Sequence, residues 1–333
     1  MANKISEKFF TQGDFSKETK GALEKVVKET NFEIGKEIWR GVIYDKSKVG
    51  SIIFEGKYQN KLAILKLQGL KTELDELKIH KLFLKFNKSK KIRLPELFDG
   101  KSWNAKNGFG YSIQEQIIGN NIFKMPFATP AQRKQFATFY NEYKNKVVIK
   151  PWFSNKIKTQ EFANVRLENW IKICKHENCW DEKEMAPRVN QFKELINERI
   201  SRIPMIFSHG HLSADDIFVQ KGKFVLMSNL FWSYRPKYYD LAFNVWACLV
   251  KLSSSDSFKK ANQLIEDWIK TYKTIPWVKK QKDFDEAFKL MLIERLIGTM
   301  IVDLGLIRNK SNCRMKRWKL NVRVLDSLLE SLK

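Results

Sequence analysis

The chain has 333 residues, with 61 Lys and Arg against 37 Asp and Glu, giving a formal charge of +24. Its 43% apolar content is enough for two lobes with substantial cores, and no apolar run reaches the roughly 18 residues of a membrane helix. The opening MANKISEKFF has no apolar signal core, and Cys174, Cys179, Cys248 and Cys313 are too few and scattered for a disulfide framework, so a cytoplasmic protein with reduced thiols is expected.

The positive field favours polyanions such as RNA, anionic lipid or nucleotide. Its denser clusters lie at residues 85–93, 270–282 and 308–323. No recognition motif accompanies them and solvated helix faces explain most of the charge, so any polyanion binding through this surface is expected to be weak.

Residues 1–30 space Phe9, Phe10, Leu23, Val26 and Val27 among Lys and Glu, which predicts a helical lead-in. From residue 32 the pattern turns to strands at 32–40, 41–44, 51–55 and 62–67. The stretch Leu62-Ala63-Ile64-Leu65-Lys66-Leu67 contains one Lys in an otherwise apolar strand. A buried Lys is costly unless its ammonium finds an anion; an edge-strand Lys reaching water is the alternative. The next predicted helix, 71–86, carries Glu73, Asp75 and Glu76, and Glu73, Glu76 and His80 share one face. The connection at 45–51 has a single Gly, with Lys46 and Lys48, and reads equally as a phosphate cradle or as an ordinary hairpin turn. Further strands are expected at 94–97 and 109–118, and Gly119 marks an exit near residues 118–122.

The remainder reads as mainly helical. Thr129 as N-cap and Pro130 at the first helical position open a helix over 130–147. Amphipathic stretches follow at 165–174 and 187–202, then packed helices at 239–252, 257–272, 283–305 and 311–332. Trp152, Phe153, Trp170 and Trp180 could line a pocket, but core packing explains them as readily.

The most specific segment is SHGHLSADDIFV at 208–219, followed by a strand at 224–227 and Tyr239-Asp240-Leu241-Ala242. It resembles the catalytic segment of the aminoglycoside phosphotransferase and choline kinase group. That resemblance implies an α+β, two-lobed protein kinase-like fold with a small antiparallel β-sheet lobe at 31–119. A larger, mainly helical lobe would occupy 120–333, with the catalytic-loop segment at 208–242. The likeness extends from about residue 32 onward, and is motif-specific at Lys66, the connector and 208–242.

Carried over position by position, the resemblance places Lys66 on the nucleotide phosphates, with Glu76 as its helix partner by the family's spacing and Glu73 as the alternative. Glu115 and Gln116 fall in the lobe connector, where backbone groups bind adenine. His209 braces the loop, and Asp240 fixes it and caps the next helix. His211 stands where the family has its catalytic Asp, Asp216 replaces the metal-binding Asn and Ser228 the metal-binding Asp. An Asp/Asn/Asp set carries two formal negative charges and His/Asp/Ser carries one at neutral pH, so magnesium affinity falls, with Asp216 compensating in part as a hard oxygen ligand. His211 can still serve as a base, because imidazole titrates near neutrality. Asp215 lies one residue out of register, and Asn229 is the only neighbour of Ser228 with a useful oxygen.

The implied activity is ATP-dependent phosphoryl transfer to a small-molecule hydroxyl, using ATP and magnesium at a weakened site, with an atypical or impaired loop. The alternative is a catalytically inactive pseudokinase that binds nucleotide, protein or polyanion. The Lys-rich region 150–202 disfavours a cationic aminoglycoside as acceptor. A metal-hydrolase reading of His209-x-His211 lacks its further ligands in order, and Cys174, His176 and Cys179 supply only three ligands at non-finger spacing.

Overall fold

Ala22, Val26 and Thr30 recur every fourth residue and are buried, which is why Lys17–Thr30 forms helix α1. The computed structural model describes residues 17–42, 49–69, 75–154 and 157–332. The Phe9 and Phe10 of the lead-in, the turn carrying Lys46 and Lys48, and Glu73 lie outside these residues. The described chain divides into a smaller unit (up to Lys85, Arg93–Gly119 and Val225–Leu230) and a larger one (Phe86–Ile92, Asn120–Phe224 and Phe231 onward).

In the smaller unit, α1 precedes strands β1 (Glu33–Val42), β2 (Val49–Tyr58) and β3 (Lys61–Gln68). Helix α2 (Glu76–Phe86) and strands β4 (Leu97–Asn104) and β5 (Phe109–Glu115) follow. The strands expected at 32–40 and 41–44 run together in β1 as far as Val42, and residues 43–44 lie outside the described residues. The sheet is antiparallel throughout, in the order β1-β2-β3-β5-β4. Gln59 and Asn60 both have positive φ between β2 and β3, the geometry that a two-residue hairpin needs to match strand twist. One face of the sheet packs against α1 through Ile52, Phe54, Leu65, Leu67 and Ile113, with Val26 and Phe32 opposite. Strand alternation buries Ala63, Leu65 and Leu67 on that face and turns Leu62, Ile64 and Lys66 to the other.

The larger unit is mainly helical. Helix α3 (Pro130–Glu142) opens with a capping box between Thr129 and Gln132, with Pro130 in the first turn. It continues as a π-helical turn, Tyr143–Val147. Helix α4 (Thr159–His176) and helix α5 (Glu182–Glu198) come next. The helix expected from residue 187 starts earlier, because Asp181 accepts from the Glu184 N–H as N-cap and Pro187 is tolerated inside it. Strands β6 (Met205–Ser208) and β8 (Ser233–Pro236) pair antiparallel, and between them β7 (Ile217–Gln220) pairs with Asn120–Asn121.

Helices α6 (Tyr239–Val250), α7 (Phe258–Tyr272), α8 (Phe284–Gly298) and α9 (Asn312–Glu330) complete the unit. The helix expected over 283–305 ends at Gly298 and passes into a π-helical turn, Thr299–Asp303. Buried Leu241, Ala242 and Val245 of α6, together with Phe288, Met291 and Leu292 of α8, belong to its core. Among the described residues no helix is long and apolar enough to cross a membrane. All four cysteines are free thiols.

Candidate functional site

Lys66 belongs to a shielded ion pair of the smaller unit. Its side chain is 14% exposed, and Nζ lies 2.5 Å from Oε1 of Glu76, itself 7% exposed. The edge-strand alternative is therefore overturned: the ammonium reaches a carboxylate, not water. Asp75 fixes the helix start by accepting from the Lys78 N–H at 2.9 Å, and a carboxylate in the first turn suits the helix dipole. The second carboxylate oxygen of Glu76, Oε2, is buried without a hydrogen-bond partner among the described residues. His80, one turn on, is buried, and burial lowers its imidazole pKa against the opposing charge of Glu76. A small cavity beside the pair is lined by Gln68, Asp75, Leu77, Lys101, Tyr111 and Ser112.

Cross-strand register puts Trp39 beside Ile53, Ile53 beside Lys66, and Lys66 beside Ser112. Directly paired residues share a face, so Trp39, 50% exposed, and Leu62, 48% exposed, form an open apolar surface around the lysine. In the connector, the Glu115 carboxylate is gripped by Arg93 at 2.5 and 2.9 Å and also accepts from the Glu96 N–H. Gln116 donates its backbone N–H to the Leu62 carbonyl at 3.3 Å. The Glu115 side chain is thus structural, and the N–H groups of Glu115 and Gln116 are both donated within the sheet region, to the Glu96 and Leu62 carbonyls.

The 208–216 turn of the larger unit is built around its backbone. Asp240 Oδ1 accepts from the Gly210 N–H at 2.8 Å, and Oδ2 from the His209 N–H at 3.3 Å. The Tyr143 hydroxyl donates to Asp240 Oδ2 at 3.0 Å while accepting from the His209 N–H at 2.7 Å. Asp240 therefore fixes the loop as expected, but it does not cap α6. The N-cap position belongs to Tyr238, with φ 69° and no side-chain cap, because the Asp240 carboxylate is turned onto the loop.

Bracing by His209 comes from its backbone N–H; its buried ring stands edge-on to Trp232 at 5.0 Å. Gly210 has φ +77°, and a Cβ there would lie 2.6 Å from the Phe231 carbonyl, so no other residue fits without displacement. Asn244 holds the next stretch: Oδ1 accepts from the Ala214 N–H at 3.1 Å and Nδ2 donates to the Tyr272 hydroxyl at 3.0 Å.

His211 and Asp216 are brought together. Nδ1 of His211 lies 3.1 Å from Asp216 Oδ2, and the imidazole is held between Phe231 and Phe243, each with ring centroid 4.5 Å away. The same Oδ2 accepts from the Ser213 hydroxyl at 2.6 Å and from the Ser213 N–H at 3.2 Å. Burial alone would raise the Asp216 pKa, but the His211 hydrogen bond and charge, the charge of His209 and the Ser213 hydroxyl outweigh it and hold the carboxyl below its usual range. Asp215 points elsewhere, its carboxylate paired with Lys251.

Ser228 belongs to the smaller unit and has φ 55°, a left-handed conformation uncommon for a residue with a Cβ. The Asn229 amide donates to the Leu226 carbonyl at 2.9 Å. Among the described residues no group of three His, Cys, Asp or Glu side chains could hold a metal ion. With one Asp216 oxygen already accepting three contacts and Asp240 committed to the loop, the donor set does not make a divalent-cation cage.

Ser213, Asn244, Tyr143 and the two Phe rings are the loop's supports that the sequence reading did not single out. Ser213-x-x-Asp216 has capping-box spacing, and that signal was legible; the others come from distant elements.

No family model matches the sequence, and no curated protein matches it significantly. Solved structures do. The aminoglycoside phosphotransferase APH(4)-Ia superposes with a TM-score of 0.63 at 9% identity, over 94% of this chain and 98% of that one. Spectinomycin phosphotransferase APH(9)-Ia, solved with ADP and spectinomycin, gives 0.56 at 14% identity over 92% and 98%. Amicoumacin kinase hAmiN, solved with AMP-PNP, Ca2+ and Ami, gives 0.56 at 14% identity over 94% and 93%. Identities this low speak for the fold alone, and the chain has the α+β, protein kinase-like fold shared by the aminoglycoside phosphotransferases and related kinases.

Proposed function

We propose that the protein is an ATP-dependent phosphotransferase that moves the γ-phosphoryl group of ATP to a small-molecule hydroxyl. The observation that carries this reading is the Lys66–Glu76 pair: a largely shielded cation, 2.5 Å from its buried carboxylate, fixed on a sheet face whose Trp39 and Leu62 are exposed. A lysine held in this way neutralises phosphate oxygens, and an apolar surface suits a base. Nucleotide complexes of the structural neighbours, with ADP or AMP-PNP, support the same assignment.

In the transfer step the acceptor oxygen bonds to the γ-phosphorus as the bond from that phosphorus to the β,γ-bridging oxygen breaks, and ADP departs. The hydroxyl proton goes to Nε2 of His211. With Nδ1–H donated to Asp216, the tautomer that leaves a lone pair on Nε2 is favoured, as when a carboxylate orients a catalytic imidazole. Magnesium carried in with the nucleotide would neutralise phosphate charge, the described side chains forming no cage of their own for it.

The test is calorimetric titration of the intact chain with ATP, with and without magnesium, followed by ATP consumption against a panel of hydroxyl compounds. Lys66→Ala should weaken ATP binding. His211→Gln should lower turnover by about 10²–10⁴ at unchanged ATP affinity, with His211→Asp more active than His211→Gln. Absence of ATP binding by the wild type would overturn the proposal, and binding without turnover on any acceptor would leave a nucleotide-binding module.

A further inference from the structure

Three arginines from three elements of the larger unit gather around Tyr239 beside the 208–216 turn, and only two of them, Arg166 and Arg295, lie in an ion pair among the described residues. Arg166 of α4 is paired: Nε lies 2.8 Å from Glu294 Oε1, and its guanidinium donates to the Tyr239 hydroxyl at 3.0 Å. Arg235 of β8 has no ion-pair partner among the described residues; its contacts are the Phe231 and Tyr234 carbonyls at 3.5 and 3.4 Å. Arg295 of α8 lies 3.7 Å from Asp303, whose carboxyl burial pushes up to about 7, and it also meets the Tyr239 hydroxyl and the charge of Glu294. The Nε atoms of Arg235 and Arg295 are buried without hydrogen-bond partners among the described residues. Burial works against both guanidinium charges and outweighs the support of Tyr239 and Glu294, with Arg166 adding to the opposition and Asp240 supporting Arg235.

Arg295 is buried and Arg235 partly so; a shielded guanidinium whose Nε has no partner is costly, and aromatic contact offsets only part of that cost. Arg235 lies over Phe162 and Tyr239 at 5.3 and 5.7 Å, and Arg295 over Trp246 and Phe243 at 4.0 and 5.3 Å. A guanidinium stacked on a ring keeps its edge for bidentate hydrogen bonding to a carboxylate or phosphate. The cluster adjoins the loop directly. A Cβ on Gly210 would lie 2.9 Å from Arg235 Nε, and the Phe243 ring that carries Arg295 also packs against His211.

We infer that Arg235 and Arg295, steadied by the Arg166–Glu294 pair, form an anion site, and that the acceptor presenting its hydroxyl to His211 is an anionic compound bearing a carboxylate or phosphate group. The acceptor assignment rests on the phosphotransferase reading; the anion site does not. A cationic acceptor would meet three guanidinium groups and is selected against.

The intact chain is titrated calorimetrically with inorganic phosphate and with gluconate at constant ionic strength, chloride serving as the balancing ion. The tighter of the two names the group the arginines hold. Arg235→Gln should weaken binding by about tenfold or more, as expected for loss of a charge-assisted bidentate contact. Arg235→Lys should fall between, and Lys193→Gln, which removes the same charge from an exposed position, should bind as wild type. Should Arg235→Gln fail to fold by circular dichroism, Arg235→Lys carries the comparison.

Wild type that distinguishes neither anion from chloride, or arginine variants that bind like wild type, would overturn the inference. So would loss of binding in Lys66→Ala with Arg235→Gln unaffected, since the anion would then sit with Lys66. Arginine-dependent anion binding without any ATP binding would keep the site and remove the phosphotransferase reading.

Discussion

Replacing Lys66 by Met removes the ammonium from a pair in which both side chains are shielded, 14% and 7% exposed. Glu76 Oε2 already lacks a hydrogen-bond partner among the described residues, and the substitution strips Oε1 of its cation as well. Removing one member of a buried pair costs about 3–5 kcal/mol, and the residual water access of Lys66 argues for about 3 kcal/mol, at the lower end of that range. Replacing both members with apolar residues, Lys66→Met with Glu76→Leu, removes the orphaned charge and should return stability to within about 1 kcal/mol of wild type. The cycle would then show a coupling of at least about 2 kcal/mol. Urea unfolding is the assay, read by the fluorescence of Trp39 and Trp103, the tryptophans of the smaller unit, so that a separate transition of that unit is resolved. The double variant, although folded, should not bind ATP, which separates the pair's structural contribution from its proposed role in binding. A cost below about 1 kcal/mol for Lys66→Met, the range of exposed pairs, or a double variant as damaged as the single one, refutes the reasoning.

Gly210→Ala places a Cβ 2.6 Å from the Phe231 carbonyl at φ +77°, and should cost at least about 1–3 kcal/mol with loss of the loop's function; calorimetric Tm and turnover measure the two together. The pH dependence of stability should carry two opposing contributions. Asp303, raised from 3.8 to about 7 by burial, holds a proton in the folded chain that the unfolded chain releases, so its contribution is lost as pH rises from about 4 through about 7. Asp216, depressed by His211, His209 and Ser213 against its own burial, contributes above its unfolded pKa and loses that contribution as pH falls through the folded value. In Tm against pH, Asp303→Asn should flatten the near-neutral slope and Asp216→Asn the acid one. An unchanged slope in either variant contradicts the corresponding burial argument.

Lys66 was legible because alternation leaves one charged residue on a strand that otherwise reads as apolar, and Glu76 because the next helix begins within a few residues of it. Asp240 was legible as a loop brace from the Tyr-Asp-Leu-Ala spacing, although its capping role was not realised. What the sequence could not convey was the convergence of distant elements. Arg166, Arg235 and Arg295 come from a helix, a strand and another helix, and read singly as parts of a general positive charge. Asp216 read as a candidate metal ligand from its position in the motif; its contacts with His211 and Ser213 depend on the 3-10 turn Ala214–Asp216, which periodicity does not resolve. The end of α8 at Gly298 was hidden as well, because the apolar pattern continues through the π-helical turn Thr299–Asp303.

The loop separates the groups that make its shape from those that would do its chemistry. Asp240, Tyr143 and Asn244 all act on backbone N–H groups, of His209, Gly210 and Ala214, so the turn tolerates changes in the side chains it displays. Gly210 adds a steric requirement that is likewise blind to those side chains. A turn held this way accepts an imidazole at position 211 provided the ring is itself supported. Asp216, Phe231 and Phe243 provide that support at 3.1 to 4.5 Å. Three partners for one half-exposed imidazole exceed what an idle surface histidine requires, and this orientation of the ring makes position 211 worth testing for turnover.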